Sequence, residues 1–381
     1  MRSFQCKCNN TIFFENNQCT ACLSSLGWCP GCLSMTAIGP LGNDQYRCGN
    51  ALCGALLSKC FNYTTHNVCN RCVLVTTSAA PTEGFCDYCR YNDTIPDLTV
   101  DENWQMWLRL EVAKRRLFYT LDLLRLPHGN EQDGMRPPLA FDFKGDVVEK
   151  SRWWWRTMGK EEQVFTGHAG GRITINIREA DHVEREKARV SFDEAHRTII
   201  GHFRHEIGHY YWEMLVMNQC EAACTAIFGD HNLSYSDAMQ AHYKEGAHDG
   251  WQRNYISAYA TMHPWEDFAE TFATYLDIVS VLDTAMNMGL GDGLDPCIAP
   301  IEQMIKHYSR LGVVLNEMNR SMGLIDLAPD IFAGPIENKL AFIHHLLRNN
   351  VKPSARALPA KPSVFLNHNQ TRAERPKSAS D

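Results

Sequence analysis

The 381-residue chain contains no long hydrophobic run. A membrane-spanning helix needs about 20 consecutive, mostly apolar residues, and no stretch of this sequence approaches that length. The first ten residues, MRSFQCKCNN, also lack the apolar segment that a signal peptide carries. We therefore expect a soluble, cytoplasmic protein with no membrane partner.

An excess of basic residues is missing as well. The chain has 37 Lys and Arg against 44 Asp and Glu, which gives a formal net charge of -7 at pH 7. Residues 1–97 hold six residues of each sign, so this part also lacks the basic surface that binds a phosphate backbone. Nucleic acid is not an expected partner.

Cysteine is scarce in most of the chain and abundant at its beginning. Thirteen of the 16 cysteines lie between Cys6 and Cys89. This distribution predicts a boundary near residue 95, with a cysteine-rich region over residues 1–95 and a second domain over residues 96–350. The Pro- and Ser-rich tail over residues 351–381 is predicted to be disordered.

The cysteines of the first region come in pairs with the spacing of zinc ribbons. In a reducing compartment, such pairs bind metal more often than they form disulfides. Taken in sequence order, the pairs predict three structural zinc sites: Cys6, Cys8, Cys19 and Cys22; Cys29, Cys32, Cys48 and Cys53; and Cys69, Cys72, Cys86 and Cys89. Cys60 is left over, and it either replaces a member of the third site or is simply buried. We expect this zinc-ribbon region to contact a protein partner or to present a substrate.

The second domain is predicted to be mostly helical. Its composition and the helical spacing of its apolar residues predict helices over 101–126, 193–217, 234–243, 264–288, 299–320 and 335–350. The segment GGRITINI, residues 170–177, instead alternates apolar and polar residues as a strand does. The predicted fold class is therefore α+β. A mostly helical domain with a small sheet follows the zinc-ribbon region in the sequence.

The segment GHFRHEIGHYYWEML, residues 201–215, contains the pattern H-E-x-x-H. On a helix, His205 and His209 lie one turn apart on the same face, so both imidazoles reach one metal ion and Glu206 stands beside them. Zinc with one open position lowers the pKa of its bound water to about 7, and a nearby carboxylate takes the proton. The apolar flanks predict a buried helix, in which unpartnered His and Glu are costly. Core histidines bonded to backbone are the alternative.

The best candidate for a third ligand lies in SAYATMHPWEDFAETFATYL, residues 257–276. Glu266 and Glu270 are i and i+4 on the helix predicted to begin at Pro264, so both carboxylates face the same way. Apolar neighbours place this helix against the core, where two carboxylates repel unless a cation or a His separates them. Glu266 as a zinc ligand and Glu270 as the acceptor for a ligand His N–H would resolve that repulsion. A solvated acidic first turn is the alternative.

Together these motifs carry a family resemblance. HEIGH followed 57 residues later by EDFAE resembles the gluzincin arrangement of zinc metallopeptidases, and SAYATMHPWEDFAETFA is similar to a segment of anthrax lethal factor-like peptidases. Over about residues 1–350, the chain resembles a bacterial family of zinc-binding metallopeptidases with an amino-terminal zinc ribbon. The resemblance implies His205, His209 and Glu266 as zinc ligands and Glu206 as general base, but it does not identify the substrate.

The resemblance also implies two further features of the site. Lethal factor-like peptidases have a tyrosine at the place of Tyr259, where a phenol would stabilise an oxyanion. Packing against Tyr255 and Trp251 is the alternative. Residues 170–177 occupy the place of the zincin edge strand, whose free backbone groups pair with an extended peptide. An interior strand is equally compatible with the sequence.

The leading function is zinc-dependent hydrolysis of a bond in a peptide or protein substrate, with one catalytic and about three structural zinc ions. A non-catalytic, zinc-stabilised adaptor and an amidase acting on a non-peptide substrate are the alternatives. The intact Glu206 favours an enzyme, because a binding module needs no base beside the metal.

Overall fold

A computed structural model of the chain describes residues 1–75, 84–145, 147–148, 161–162, 164, 166–191, 198–290, 292–328 and 332–351. The predicted disorder of the tail concerns residues 352–381, which lie outside these ranges. Within the ranges, no helix has the length and apolarity that crossing a bilayer requires.

Short strands and long helices make up the described chain. The strands are β1 (Phe4–Gln5), β2 (Thr11–Ile12), β3 (Leu26–Cys29), β4 (Ser34–Gly42), β5 (Gln45–Cys48), β6 (Leu56–Lys59), β7 (Cys72–Leu74), β8 (Asn92–Thr94), β9 (Ala140–Lys144), β10 (Val147–Val148), β11 (Glu161–Glu162), β12 (Gly167–Ala169) and β13 (Arg172–Asn176). The helices are α1 (Phe61–Thr64), α2 (Asp101–Leu123), α3 (His182–Ser191), α4 (Ile199–Leu215), α5 (Glu221–Phe228), α6 (Tyr235–Glu245), α7 (Pro264–Met288), α8 (Ile301–Ser321) and α9 (Gly334–Asn349). This combination confirms the predicted α+β class.

The described strands form four sheets, of which two, β1-β2 and β10-β11, are only two-stranded. The other two organise the fold. The first is antiparallel, in the order β3-β4-β5-β6-β7, and lies within the cysteine-rich region. The second has the order β12-β13-β9-β8, in which β9 runs parallel to both of its neighbours. Strand β13 is therefore interior, which decides between the two readings of residues 170–177, and β12 is the edge strand beside it.

The cysteine-rich region and the helical domain share one hydrophobic core. Cys60 and Cys86 pack in the same buried cluster as Trp107 and Leu110 of α2. Helix α2 also donates a hydrogen bond across this contact, from Trp104 Nε1 to the carbonyl of His66 at 2.7 Å. In addition, β8 comes from the cysteine-rich region but pairs with β9 of the second sheet. The two regions are therefore joined by both packing and backbone pairing.

In three places among the described residues, four cysteine sulfur atoms lie within 4.8 Å of one another. The groups are Cys6, Cys8, Cys19 and Cys22; Cys29, Cys32, Cys48 and Cys53; and Cys60, Cys69, Cys86 and Cys89. The first two groups contain the same cysteines that the spacing had paired. Four thiols this close suit a tetrahedral zinc site.

The third group corrects the prediction, because Cys60 takes the place of Cys72. Cys72 begins β7, and its side chain packs with Cys29 and Leu57 in a separate apolar cluster. Cys60 directly precedes α1 and lies within reach of the Cys86 backbone, whose N–H donates to its sulfur at 3.3 Å. The spacing of the cysteines carries no information about the face of the strand on which Cys72 lies.

Helices α4 and α7 lie close together at Gly208, the second x of the H-E-x-x-H pattern. A Cβ on Gly208 would lie 3.0 Å from the Cα of Ala269 and 3.2 Å from its carbonyl oxygen. At distances this short, a larger residue fits only if one of the two backbones moves by a few tenths of an ångström. The glycine thus lets the HEIGH segment lie directly against the EDFAE segment.

We predict that Gly208→Ala destabilises the protein. Alanine is favoured over glycine in a helix interior by about 1 kcal/mol, but overpacking a core costs about 1–3 kcal/mol and should prevail here. Thermal unfolding should show a lower Tm for this variant. Gly334→Ala is the control, because a Cβ there meets nothing within 4 Å. An unchanged or raised Tm for Gly208→Ala would show that the helices can separate at no cost.

We predict that Cys60→Ser lowers the zinc content of the purified chain by about one ion and destabilises it, because three thiolates and a hydroxyl hold zinc poorly. Cys72→Ser is the matched variant and should keep the full zinc content. Elemental analysis of both proteins after gel filtration measures the difference. Zinc loss from Cys72→Ser alone would restore the ligand set that the spacing predicted.

Candidate metal centre

Two helix starts position the residues of the HEIGH and EDFAE segments. The hydroxyl of Thr198 caps α4 by accepting a hydrogen bond from the Gly201 N–H at 3.0 Å. The imidazole of His263 caps α7, because its Nδ1 accepts a hydrogen bond from the Trp265 N–H at 3.1 Å. Pro264 stands at the first helical position. Caps of this kind satisfy backbone donors that have no partner within the helix. The two helices are thereby fixed at the ends that carry the site.

His205, His209 and Glu266 converge on one point. Each residue offers one possible ligand atom, and the three atoms lie within 4.8 Å of one another. The Nε2 atoms of His205 and His209 are 3.1 Å apart, and Oε2 of Glu266 lies 2.9 Å from the first and 3.5 Å from the second. Glu266 and His209 are buried, and His205 is nearly so.

The residues that converge here fit a zinc ion. Oε2 of Glu266 is buried and accepts no hydrogen bond of acceptable geometry, although two imidazole nitrogens face it. A buried carboxylate oxygen without a donor is costly, and a cation among the three atoms removes that cost. Two imidazole nitrogens and one carboxylate oxygen form the ligand set of many catalytic zinc sites.

The carboxylates of Glu266 and Glu270 favour a positive charge at His205. Burial lowers the pKa of His205, but Glu266 and Glu270 outweigh burial and hold that pKa well above its usual value. His209 has a lowered pKa because burial disfavours its charged form. Burial disfavours the charged form of Glu266, but the two imidazoles that face its carboxylate outweigh burial and hold the pKa of this carboxyl well below its usual range.

Glu270 contacts the outer nitrogen of His205. The distance from its Oε1 to Nδ1 of His205 is 2.6 Å, and its Oε2 accepts a hydrogen bond from the Ser257 hydroxyl at 2.7 Å. An Nδ1–H that donates to Glu270 leaves Nε2 of His205 free to face Glu266 and His209. Glu270 therefore orients the imidazole, and Ser257 orients Glu270.

Glu206 is buried beside the group formed by His205, His209 and Glu266. Its Oε2 has no hydrogen-bond partner. Burial raises the pKa of Glu206 to about 7, with Glu266 and Glu270 adding to the rise and His205 opposing it. A carboxyl group with a pKa in this range takes up and releases protons near neutral pH.

Two tyrosines border the same group. Tyr259 begins a short 3-10 helix, Tyr259–Thr261, and its ring centroid is 5.9 Å from that of His205. Tyr235, at the start of α6, donates a hydrogen bond from its hydroxyl to Oε1 of Glu266 at 3.0 Å. The sequence predicts a role for Tyr259 but gives no signal for Tyr235, because a contact across 31 residues has no periodicity.

Two further aromatic side chains, which the sequence analysis also missed, lie next to His209. The ring centroid of Trp265 is 3.7 Å from that of His209, and the ring centroid of His168 is 6.3 Å from that of His209. His168 belongs to the edge strand β12, and its Nε2 accepts a hydrogen bond from the Gly171 N–H at 3.1 Å. Burial lowers the pKa of His168 to about 3, so this imidazole is neutral at pH 7.

Comparisons with known proteins agree with this arrangement. Residues 103–346 match the model of a family described as "Putative zinc-binding metallo-peptidase", and residues 3–100 match a zinc-ribbon domain. Uncharacterized proteins of Mycobacterium bovis and of Mycobacterium tuberculosis strain H37Rv are each 36% identical over 355 residues, which is 90% of this chain and 94% of each relative. No solved structure matches the chain.

The two matched stretches contain every residue of the four groups described above. The zinc-ribbon match includes all three four-cysteine groups, and the second match includes His205, Glu206, His209, Glu266 and Glu270. Resemblance and geometry thus concern the same residues. The chain belongs to the family of zinc-binding metallopeptidases and carries an amino-terminal zinc-ribbon domain.

Proposed function

We propose that the chain is a zinc-dependent peptidase in which Glu206 is the general base. The observation that carries the proposal is the Glu206 carboxyl, which is buried, has an unpartnered oxygen and has a pKa raised to about 7 next to the convergent donors of His205, His209 and Glu266. A structural metal site needs no such group. An unpaired buried carboxylate is costly to keep unless it has a chemical role.

His205, His209 and Glu266 would hold the catalytic zinc, and Glu270 would fix the orientation of His205. A zinc ion held by three such ligands polarises a carbonyl group and lowers the pKa of water to about 7. We further propose about three structural zinc ions, one in each four-cysteine group. The full chain would then bind about four.

Glu206 acts by moving one proton. As water attacks the carbonyl carbon of the scissile bond, the Glu206 carboxylate accepts its proton. The protonated carboxyl then donates that proton to the nitrogen of the leaving amine, and the carboxylate is restored. One carboxyl group thus serves as general base in the first transfer and as general acid in the second.

Tyr259 acts by donating a hydrogen bond. Burial raises the pKa of its phenol above the usual value, with Glu266 and Tyr235 adding to the rise, so the hydroxyl stays protonated. A donor held beside the reacting carbonyl strengthens its hydrogen bond as negative charge develops on the oxygen. Tyr235 lies equally close to the site, but its hydroxyl already donates to Glu266.

We predict that Glu206→Gln keeps zinc bound and the fold intact while lowering turnover by about 10² to 10⁴-fold, because an amide of the same size accepts no proton. Mass spectrometry of peptides released from a cell lysate compares this variant with the wild type. Glu221→Gln, at a partly exposed position on the next helix, is the charge-matched control and should retain full activity. Equal peptide release by wild type and Glu206→Gln would remove Glu206 from the mechanism.

We predict that Tyr259→Phe lowers turnover about 10²-fold or more without changing zinc content or Tm, since only a contact of the transition state is lost. Tyr235→Phe is the matched variant and should have the smaller effect on turnover, because its hydroxyl is committed to Glu266. Turnover, zinc content and Tm are measured for both proteins. If the loss in Tyr259→Phe follows unfolding, Tyr259 is a packing residue. A larger loss in Tyr235→Phe would transfer the role to that residue.

A further inference from the structure

Helix α6 presents a row of large apolar side chains to solvent. None of its residues is buried, and Tyr235, Met239 and Tyr243 are 37%, 37% and 59% exposed. Their spacing of four residues places them along one face of the helix. Single exposed apolar residues are ordinary on a protein surface, but a continuous row of them marks a binding surface.

The apolar face of α6 borders the candidate metal centre. Tyr235 donates to Glu266, and its ring lies 5.9 Å from the ring of Trp265. One turn before the end of the helix, the ring of His242 lies 5.9 Å from that of Tyr259. Contacts at both ends thus join this face to residues that surround the metal group.

The chemistry of this face is apolar and neutral. Asp237 and Lys244 follow Tyr235 by two and nine residues, which places each about half a turn from Tyr235 around the helix axis. Both therefore lie on the opposite side of α6. Burial lowers the pKa of His242, which keeps its imidazole uncharged at pH 7. A charged substrate side chain would lose part of its hydration here without meeting an opposite charge, whereas an apolar one has no such hydration to lose.

The start of α6 is fixed relative to the metal centre. His263, which caps α7, donates a hydrogen bond from its Nε2 to the carbonyl oxygen of Leu233 at 3.1 Å. The hydroxyl of Ser234 then caps α6 itself by accepting from the Asp237 N–H. The helix is therefore held beside the site by its first turn while its apolar face stays uncovered.

We propose that Met239 and Tyr243 form an apolar wall of the substrate cleft, so that the enzyme selects peptides with a large apolar side chain next to the scissile bond. The inference rests on the proposed peptidase function and names its substrate class. The occupant is a peptide, because the uncovered face continues directly into the group that would act on a peptide bond.

Binding of two zinc-directed peptides tests this wall without requiring turnover. The probes are the hydroxamates acetyl-Gly-Leu-NHOH and acetyl-Gly-Asp-NHOH, titrated calorimetrically into the full chain after its zinc content has been measured. The wild type should bind the leucine probe about 10-fold more tightly or better, which is the discrimination an apolar pocket provides. Met239→Asp and Tyr243→Ser should each reduce that ratio several-fold.

Met318→Asp is the matched control, because Met318 is 58% exposed on α8 and is not part of the described site. This variant should keep the wild-type ratio. Equal affinities of the two probes for the wild type, failure of both to bind, or an unchanged ratio in Met239→Asp would each overturn the proposed wall. If instead sedimentation shows that Met239→Asp disrupts a dimer while the ratio is unchanged, the face binds a second copy of the chain and the proposal is wrong.

The outcomes separate the wall from the peptidase function. Probe selectivity that depends on Met239, in a protein that releases no peptides from lysate, would retain the apolar wall and reject peptide hydrolysis. Glu206-dependent peptide release with no preference between the probes would retain hydrolysis and reject the wall.

Discussion

Helices α4 and α7 can carry one site together only because their backbones nearly touch at Gly208 and Ala269. His205 and His209 lie on one helix and Glu266 on the other, so the distances among the three depend directly on how closely the helices pack. A side chain of ordinary size at the crossing would move the carboxylate away from the imidazoles. Core packing and site geometry are therefore a single constraint in this protein.

Each polar group near this crossing is held in position by the next one. Ser257 holds Glu270, Glu270 holds the outer nitrogen of His205, and His205 faces Glu266. Glu266 is buried and Glu270 is partly buried, so each requires its partner to remain charged at acceptable cost. Glu206 is different, since histidine nitrogens face the carboxylates of Glu266 and Glu270, whereas Oε2 of Glu206 has no partner. That contrast between carboxylates that face a histidine and one that does not separates the residues that hold the site from the one proposed to act in it.

Much of this arrangement could be predicted from local sequence. The helix predicted over residues 264–288 is α7, because Pro264 suits a first helical position and Gly289 follows the last turn. The H-E-x-x-H spacing identifies residues on one helix face. Tertiary contacts were harder to foresee. Tyr235 reaches Glu266 only because α6 lies beside α7, and the three-residue strands β8 and β12 are too short to show a period. The choice between Cys60 and Cys72 depends on which face of β7 is buried, and spacing does not determine that.

The shared core has a consequence for how this family can vary. Strand β8 and the third four-cysteine group belong to the stretch that matches the zinc-ribbon model, yet they complete a sheet and a core whose other members match the metallopeptidase model. Exchange of one half for an unrelated module by recombination would remove an edge of that sheet and expose Trp107 and Leu110. The second cysteine group packs in a cluster that contains no residue of α2 to α9, whereas Cys6 and Cys19 of the first group pack with Tyr119 of α2. Insertions and losses should therefore accumulate around the second group, while the segment from Cys60 to Thr94 is inherited with the helices it packs against.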